Sequence, residues 1–130
     1  MTQEEITQPR RLLIVDDSKV SRMRIRAFFA SHCPTWTIQE AASGDEALHM
    51  AVQERPDFVT MDVNMPGMSG FEAAQMLHAR DPSIRIVMLT ANIQESSRQV
   101  AASLHLSFVA KPVTEASLQT ALDYLTRTPS

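Results

Sequence analysis

Apolar positions along this chain fall into two alternating patterns. Short unbroken runs, Leu12-Leu13-Ile14-Val15, Phe58-Val59-Thr60-Met61 and Ile84 to Leu89, read as buried strands, and Thr35 to Glu40 and Leu106 to Ala110 are weaker runs of the same kind. A helix-length stretch follows each run. Ile25, Phe28 and Phe29 share one helical face in the first stretch and Ala47, Leu48, Ala51 and Val52 in the second. Phe71, Ala74 and Leu77 repeat the stripe in the third, and Leu118, Leu122 and Leu125 in the last. Ser43-x-x-Glu46 and Ser69-x-x-Glu72 have capping-box spacing, Thr114 is an N-cap, and Arg55-Pro56 and Asp81-Pro82 mark helix ends. The alternation predicts five β-α units in an α/β fold: a doubly wound, five-stranded parallel sheet with helices on both faces. The polar ends, residues 1–10 and 127–130, read as tails around one domain at 11–126.

Composition narrows what this fold can do. At 130 residues the chain holds one domain, and a formal charge of −3 argues against direct binding of nucleic acid or an anionic membrane. The longest apolar runs fall far short of the roughly 20 residues of a membrane span, and Met1-Thr2-Gln3-Glu4-Glu5 lacks a signal peptide's basic and apolar regions, so a cytoplasmic location is expected. The lone Cys33 forms no internal disulfide and no zinc site, and three scattered glycines cannot build a G-x-G-x-x-G or Walker-type phosphate loop.

In open parallel sheets the site forms at the carboxyl ends of the strands. Asp16 and Asp17 follow the first strand, Asp62 the third, Thr90 the fourth and Lys111-Pro112 the fifth, while the second contributes nothing. Singly, each has an ordinary reading: acidic residues suit a helix N-terminus, Thr ends many strands, and Lys-Pro makes turns. Together they do not, because two carboxylates about 4 Å apart repel by roughly 4 kcal/mol at an effective dielectric near 20. The cluster calls for a cation, and oxygen ligands without His or Cys suit Mg²⁺. Lys111 is the only cation the pattern brings to this edge, and its three donors suit phosphoryl oxygens. Asp62, apart from the adjacent pair that would hold the metal, is the nucleophile of choice for an aspartyl phosphate, and the backbone carbonyl of Asn64 can complete the metal shell.

The motifs Leu13-Ile14-Val15-Asp16-Asp17-Ser18, Met61-Asp62-Val63-Asn64-Met65-Pro66-Gly67-Met68-Ser69-Gly70, Leu89-Thr90-Ala91 and Phe108-Val109-Ala110-Lys111-Pro112 stand in an order and spacing that resembles the CheY-like receiver domains of two-component response regulators, over about residues 10 to 126. The resemblance implies the flavodoxin-like strand order 2-1-3-4-5 and a phosphorylation-dependent signalling switch. Asp62 would accept a phosphoryl group from a sensor histidine kinase or phosphotransfer protein, with Mg²⁺ held by Asp16, Asp17 and Asp62. Thr90 and Lys111 would bind phosphoryl oxygens, and the Lys111-Pro112 peptide would be cis. Phe108 matches the family's switch aromatic, packing inward as Thr90 moves to the phosphoryl group; an ordinary core Phe reads the same way in sequence. Output would pass to an unknown partner protein through the helix between strands four and five, the fifth strand and the last helix. On this reading the chain is no enzyme beyond its own phosphorylation and dephosphorylation.

Two departures stand out: Ala102-Ser103-Leu104-His105-Leu106 has no glycine to end the helix before strand five, and Ser69 replaces the family's usual Asp or Asn, with equal N-capping ability. Of twelve basic residues, six lie between Arg10 and Arg26; Lys19, Arg22, Arg24 and Arg26 read first as a solvated helix face and second as a docking surface for an acidic partner. Met61, Met65 and Met68 read as local gap-fillers. An aspartyl-phosphate phosphatase would need Asp-x-Asp where the chain has Asp62-Val63-Asn64, and a flavin module would need a Ser/Thr/Gly-rich loop after the first strand.

Overall fold

The computed structural model describes residues 6–91 and 107–127. Five strands, β1 (Arg11–Val15), β2 (Thr37–Ala41), β3 (Phe58–Asp62), β4 (Arg85–Thr90) and β5 (Ser107–Ala110), form one parallel sheet in the order β2-β1-β3-β4-β5. Four helices lie wholly within the described residues: α1 (Lys19–His32), α2 (Gly44–Gln53), α3 (Gly70–Arg80) and α4 (Glu115–Thr126). The helix expected between the fourth and fifth strands, with its glycine-less end, falls on residues 92–106, outside the described residues.

Period-two alternation within each strand divides the core. Leu12, Ile14, Phe58, Val87 and Leu89 join Ile25, Phe28 and Phe29 of α1 and Leu118, Leu122 and Leu125 of α4, while Leu13, Val15, Val59, Met61, Ile86 and Met88 join Ala47 and Ala51 of α2 and Ala73, Ala74 and Leu77 of α3. Both faces of the sheet are thereby covered, which is why β3 is buried at every position. In α2 the expected stripe is narrower: Val52 is 62% exposed, because at 3.6 residues per turn it lies about 140° around the helix from Ala47 and about 100° from Ala51. The small Ala47 and Ala51 pack in one cluster with Ala73 and Ala74 of α3. Gly44 shares in this, since a Cβ there would meet Met68 at 3.1 Å and Ala73 at 3.2 Å.

Local chemistry sets the helix starts. Ser18, Ser43 and Ser69 each accept from the backbone N–H three residues on, and Thr114 and Ser117 cap reciprocally. The segment read as an N-terminal tail is docked from Ile6 onward. Ile6 packs on the core, the Thr35 hydroxyl sits 3.1 and 3.0 Å from the carbonyls of Ile6 and Gln8, and Thr37 N–H donates to the Arg10 carbonyl at 2.7 Å. No helix among the described residues is long and apolar enough to cross a membrane.

Candidate functional site

Parallel register fixes what meets at the carboxyl edge. Val15 pairs with Met61 and Asp62 with Leu89, so Asp16 emerges beside Asp62 on the face that carries Ile14 and Thr60. Thr90 pairs with Ala110, one residue before Lys111. Carboxylate oxygens of Asp16, Asp17 and Asp62 lie within 4.8 Å of one another. Asp16 is fully buried and Asp62 is 4% exposed, whereas Asp17 faces solvent.

Lys111 bridges the two buried acids: its Nζ is 2.9 Å from Asp16 Oδ2 and 3.3 Å from Asp62 Oδ1. Burial works against the ammonium, but its bonds to Asp16 and the charges of Asp16 and Asp62 hold its pKa above the ordinary lysine value. Burial pushes the Asp62 carboxyl from 3.8 up to about 6, the Asp16 charge adds to this, and Lys111 and the backbone N–H of Asn64 oppose it. One ammonium therefore does not neutralise this edge. A hard divalent cation fits the need, since the donors are all carboxylate oxygens and one of the three stays open to water.

Thr90 ends β4, 1% exposed, and the Lys111 N–H donates to its carbonyl at 2.7 Å. The Lys111–Pro112 peptide is cis. Phe108 is half-buried and meets Phe71 edge to face, with centroids 5.8 Å apart at 88°. Asn64 reaches Asp62 with its backbone N–H. Gly70 lies beneath the Asp62 backbone: a Cβ there would stand 2.0 Å from the Asp62 carbonyl oxygen. That close approach, with Gly67 at φ +78°, explains both glycines of the loop.

Two expectations are corrected. Lys111 is not the only cation at this edge, and the second strand does contribute. Glu40 of β2 takes Arg22 Nε at 3.0 Å and Arg26 Nε at 2.6 Å, and Arg22 Nη1 donates to the Asp16 carbonyl at 2.7 Å. The basic run on α1 is thus partly an internal network, built on a β1–β2 register that pairs Ile14 with Glu40. A basic residue in the second turn after Asp16-Asp17 and an acid closing the second strand were the available signals; neither identifies the other without that register.

Comparison with known proteins shows the family of this chain. The family model described as response regulator receiver domain matches residues 12–123. A protein-glutamate methylesterase/protein-glutamine glutaminase of Methanosarcina acetivorans is 38% identical over 99 residues, 76% of this chain. The chain spans 28% of that relative's length, and 30% of the corresponding protein of Geobacillus kaustophilus. Among solved structures, chemotaxis protein CheY4 of Vibrio cholerae superposes with a TM-score of 0.81 at 27% identity, covering 91% of this chain and 99% of that one. CheY in the CheX-CheY-BeF3-Mg²⁺ complex of Borrelia burgdorferi gives 0.79 at 26% identity, covering 87% and 86%.

Proposed function

Because the chain belongs to the response regulator receiver domain family and works as a phosphorylation-dependent switch, we propose that Asp62 is the residue that takes the phosphoryl group. The observation that carries this is the convergence of Asp16, Asp17 and Asp62 within 4.8 Å, with Lys111 Nζ between the two buried acids. An ionised Asp62 oxygen forms a bond to phosphorus while the bond to the donor breaks. With a phosphohistidine donor on a sensor kinase or phosphotransfer protein, the imidazole nitrogen leaves and takes up a proton from water.

Asp16, Asp17, Asp62 and the Asn64 carbonyl would hold Mg²⁺. When bound, the ion neutralises negative charge on the carboxylates and on the incoming phosphoryl oxygens. Lys111 supplies an ammonium to one of those oxygens, exchanging its present bond to Asp62 for one to the phosphoryl group. Thr90 offers a hydroxyl from the end of β4, and its approach to Asp62 would leave room for Phe108 to move inward from its half-buried position against Phe71. The phosphoryl group shifts this equilibrium only by binding one arrangement better than the other. A Lys111 bond at about 1.5 to 3 kcal/mol and a Thr90 bond at about 0.5 to 1.5 together give about 2 to 4.5 kcal/mol, a substantial but incomplete share of the roughly 5.5 kcal/mol that a shift from 1:99 to 99:1 requires.

The test is uptake from a small phosphodonor. With Mg²⁺, intact mass should show one phosphoryl group, labile to hydroxylamine; excess chelator should abolish it, since the acidic edge then repels the donor. Normal uptake in chelator would overturn the roles given to Asp16 and Asp17.

A further inference from the structure

Each polar atom of Asp16 has a partner. Its N–H donates to the Ala41 carbonyl at 3.1 Å, its Oδ1 accepts from Ser18 N–H at 2.8 Å, and its Oδ2 takes Lys111 Nζ at 2.9 Å. The fourth contact, to the carbonyl, comes from Arg22 Nη1 at 2.7 Å. That carbonyl belongs to the peptide joining Asp16 to Asp17, so whatever holds it sets the direction in which the Asp17 side chain leaves the backbone. Asp17 itself is exposed.

Arg22 is suited to the task. Its side chain is 16% exposed, and its Nε is anchored by Glu40 Oε1 at 3.0 Å, so one planar fork spans the ends of β1 and β2. Arg26 shares Glu40, through Oε2 at 2.6 Å, but sends its other arm to the Ile38 carbonyl at 3.0 Å, one pleat away from the acidic edge. The two arginines thus belong to one ionic network and differ in a single respect: only Arg22 reaches the peptide of the acidic pair.

We propose that Arg22 is a positioning residue of the acidic site, holding the Asp16–Asp17 peptide so that both carboxylates present one set of oxygens to the cation. This rests on the reading of Asp16, Asp17 and Asp62 as a Mg²⁺ site. Groups that orient metal ligands from behind typically alter affinity by about 10- to 100-fold when removed.

The experiment compares Arg22→Gln with Arg26→Gln in the whole chain, measuring Mg²⁺ affinity by calorimetry and, in chelator, amide hydrogen exchange at Asp17 and Ser18. Urea unfolding confirms that each variant is folded. Arg22→Gln should weaken Mg²⁺ by about 10-fold or more and speed exchange at both amides, whereas Arg26→Gln should leave both unchanged at a comparable loss of stability. If Arg22→Gln does not fold, Arg22→Lys serves, since it keeps the charge without the two-pronged fork and should show the same change in smaller degree. Equal effects in the two positions, or none at Arg22, overturn the proposal while leaving the metal site intact. If the wild type binds no Mg²⁺, or Asp17→Asn binds it as well as the wild type does, the metal site falls and the role of Arg22 with it.

Discussion

Replacing Asp62 with Asn should make the metal-free protein more stable at neutral pH and not in acid. In the folded chain burial and the Asp16 charge hold the Asp62 carboxyl at about 6, against an ordinary value of 3.8. Between those two values the folded state binds more protons than the unfolded state, so folding stability is lost as pH rises through the window and stays lost above it. At roughly 1.36 kcal/mol per pH unit the full difference is about 2 to 3 kcal/mol, and Asn, which does not titrate, escapes it. The assay is urea unfolding from pH 3.5 to 8 in chelator, followed by fluorescence of Trp36, which packs between Phe29 and Phe58. Loss of one Lys111 contact gives Asp62→Asn a constant offset, so the decisive quantity is the change in the difference with pH. The advantage of Asp62→Asn should grow by about 2 to 3 kcal/mol between pH 4 and 7 and then level. A difference that stays flat, or shrinks as pH rises, would refute the claim that ionised Asp62 is strained by its surroundings.

Three further outcomes follow from the same structure. Thr60 Oγ1 is fully buried with no hydrogen-bond partner, so Thr60→Val should raise unfolding free energy by about 1 kcal/mol without slowing phosphorylation; a loss of stability would show that the hydroxyl has a partner. Gly70→Ala drives a methyl group to 2.0 Å from the Asp62 carbonyl, and calorimetric melting should show a cost of about 3 kcal/mol or more with slower phosphorylation, whereas the same change at Gly44 meets Met68 and Ala73 no closer than 3.1 Å and should cost less. Thr90→Ala should still be phosphorylated, yet the Phe108 ring resonances should shift less on phosphorylation; Lys111→Ala should show the same uncoupling more strongly, and a full wild-type shift in Thr90→Ala would exclude this route.

Most of the framework was legible in the chain because it rests on local periodicity. Leu12 to Val15 and Phe58 to Met61 read as buried strands by their length and β-branched or aromatic content, and in a parallel sheet acids placed directly after such strands fall at one edge. Ser43, Ser69 and Thr114 announced their helices by chemistry that acts within one turn. What stayed hidden depends on contacts between distant segments. Arg22 and Glu40 are 18 residues apart and meet only through the β1–β2 register, so the basic run looked like a solvated face. Val52 fits a broad apolar stripe in sequence, but it lies about 140° around the helix from Ala47, and which margin of a stripe is covered depends on the neighbouring elements. Ile6 lay in a polar segment without periodicity, and its docking depends on Thr35 and the core surface across the chain.

The most direct test of the account is to locate the phosphoryl group itself. After phosphorylation with Mg²⁺ and a small phosphodonor, borohydride reduction of the acyl phosphate and peptide mapping should place a single modified residue at Asp62, and Asp62→Asn should take up none. A modified residue anywhere else, or unchanged labelling of Asp62→Asn, would contradict it.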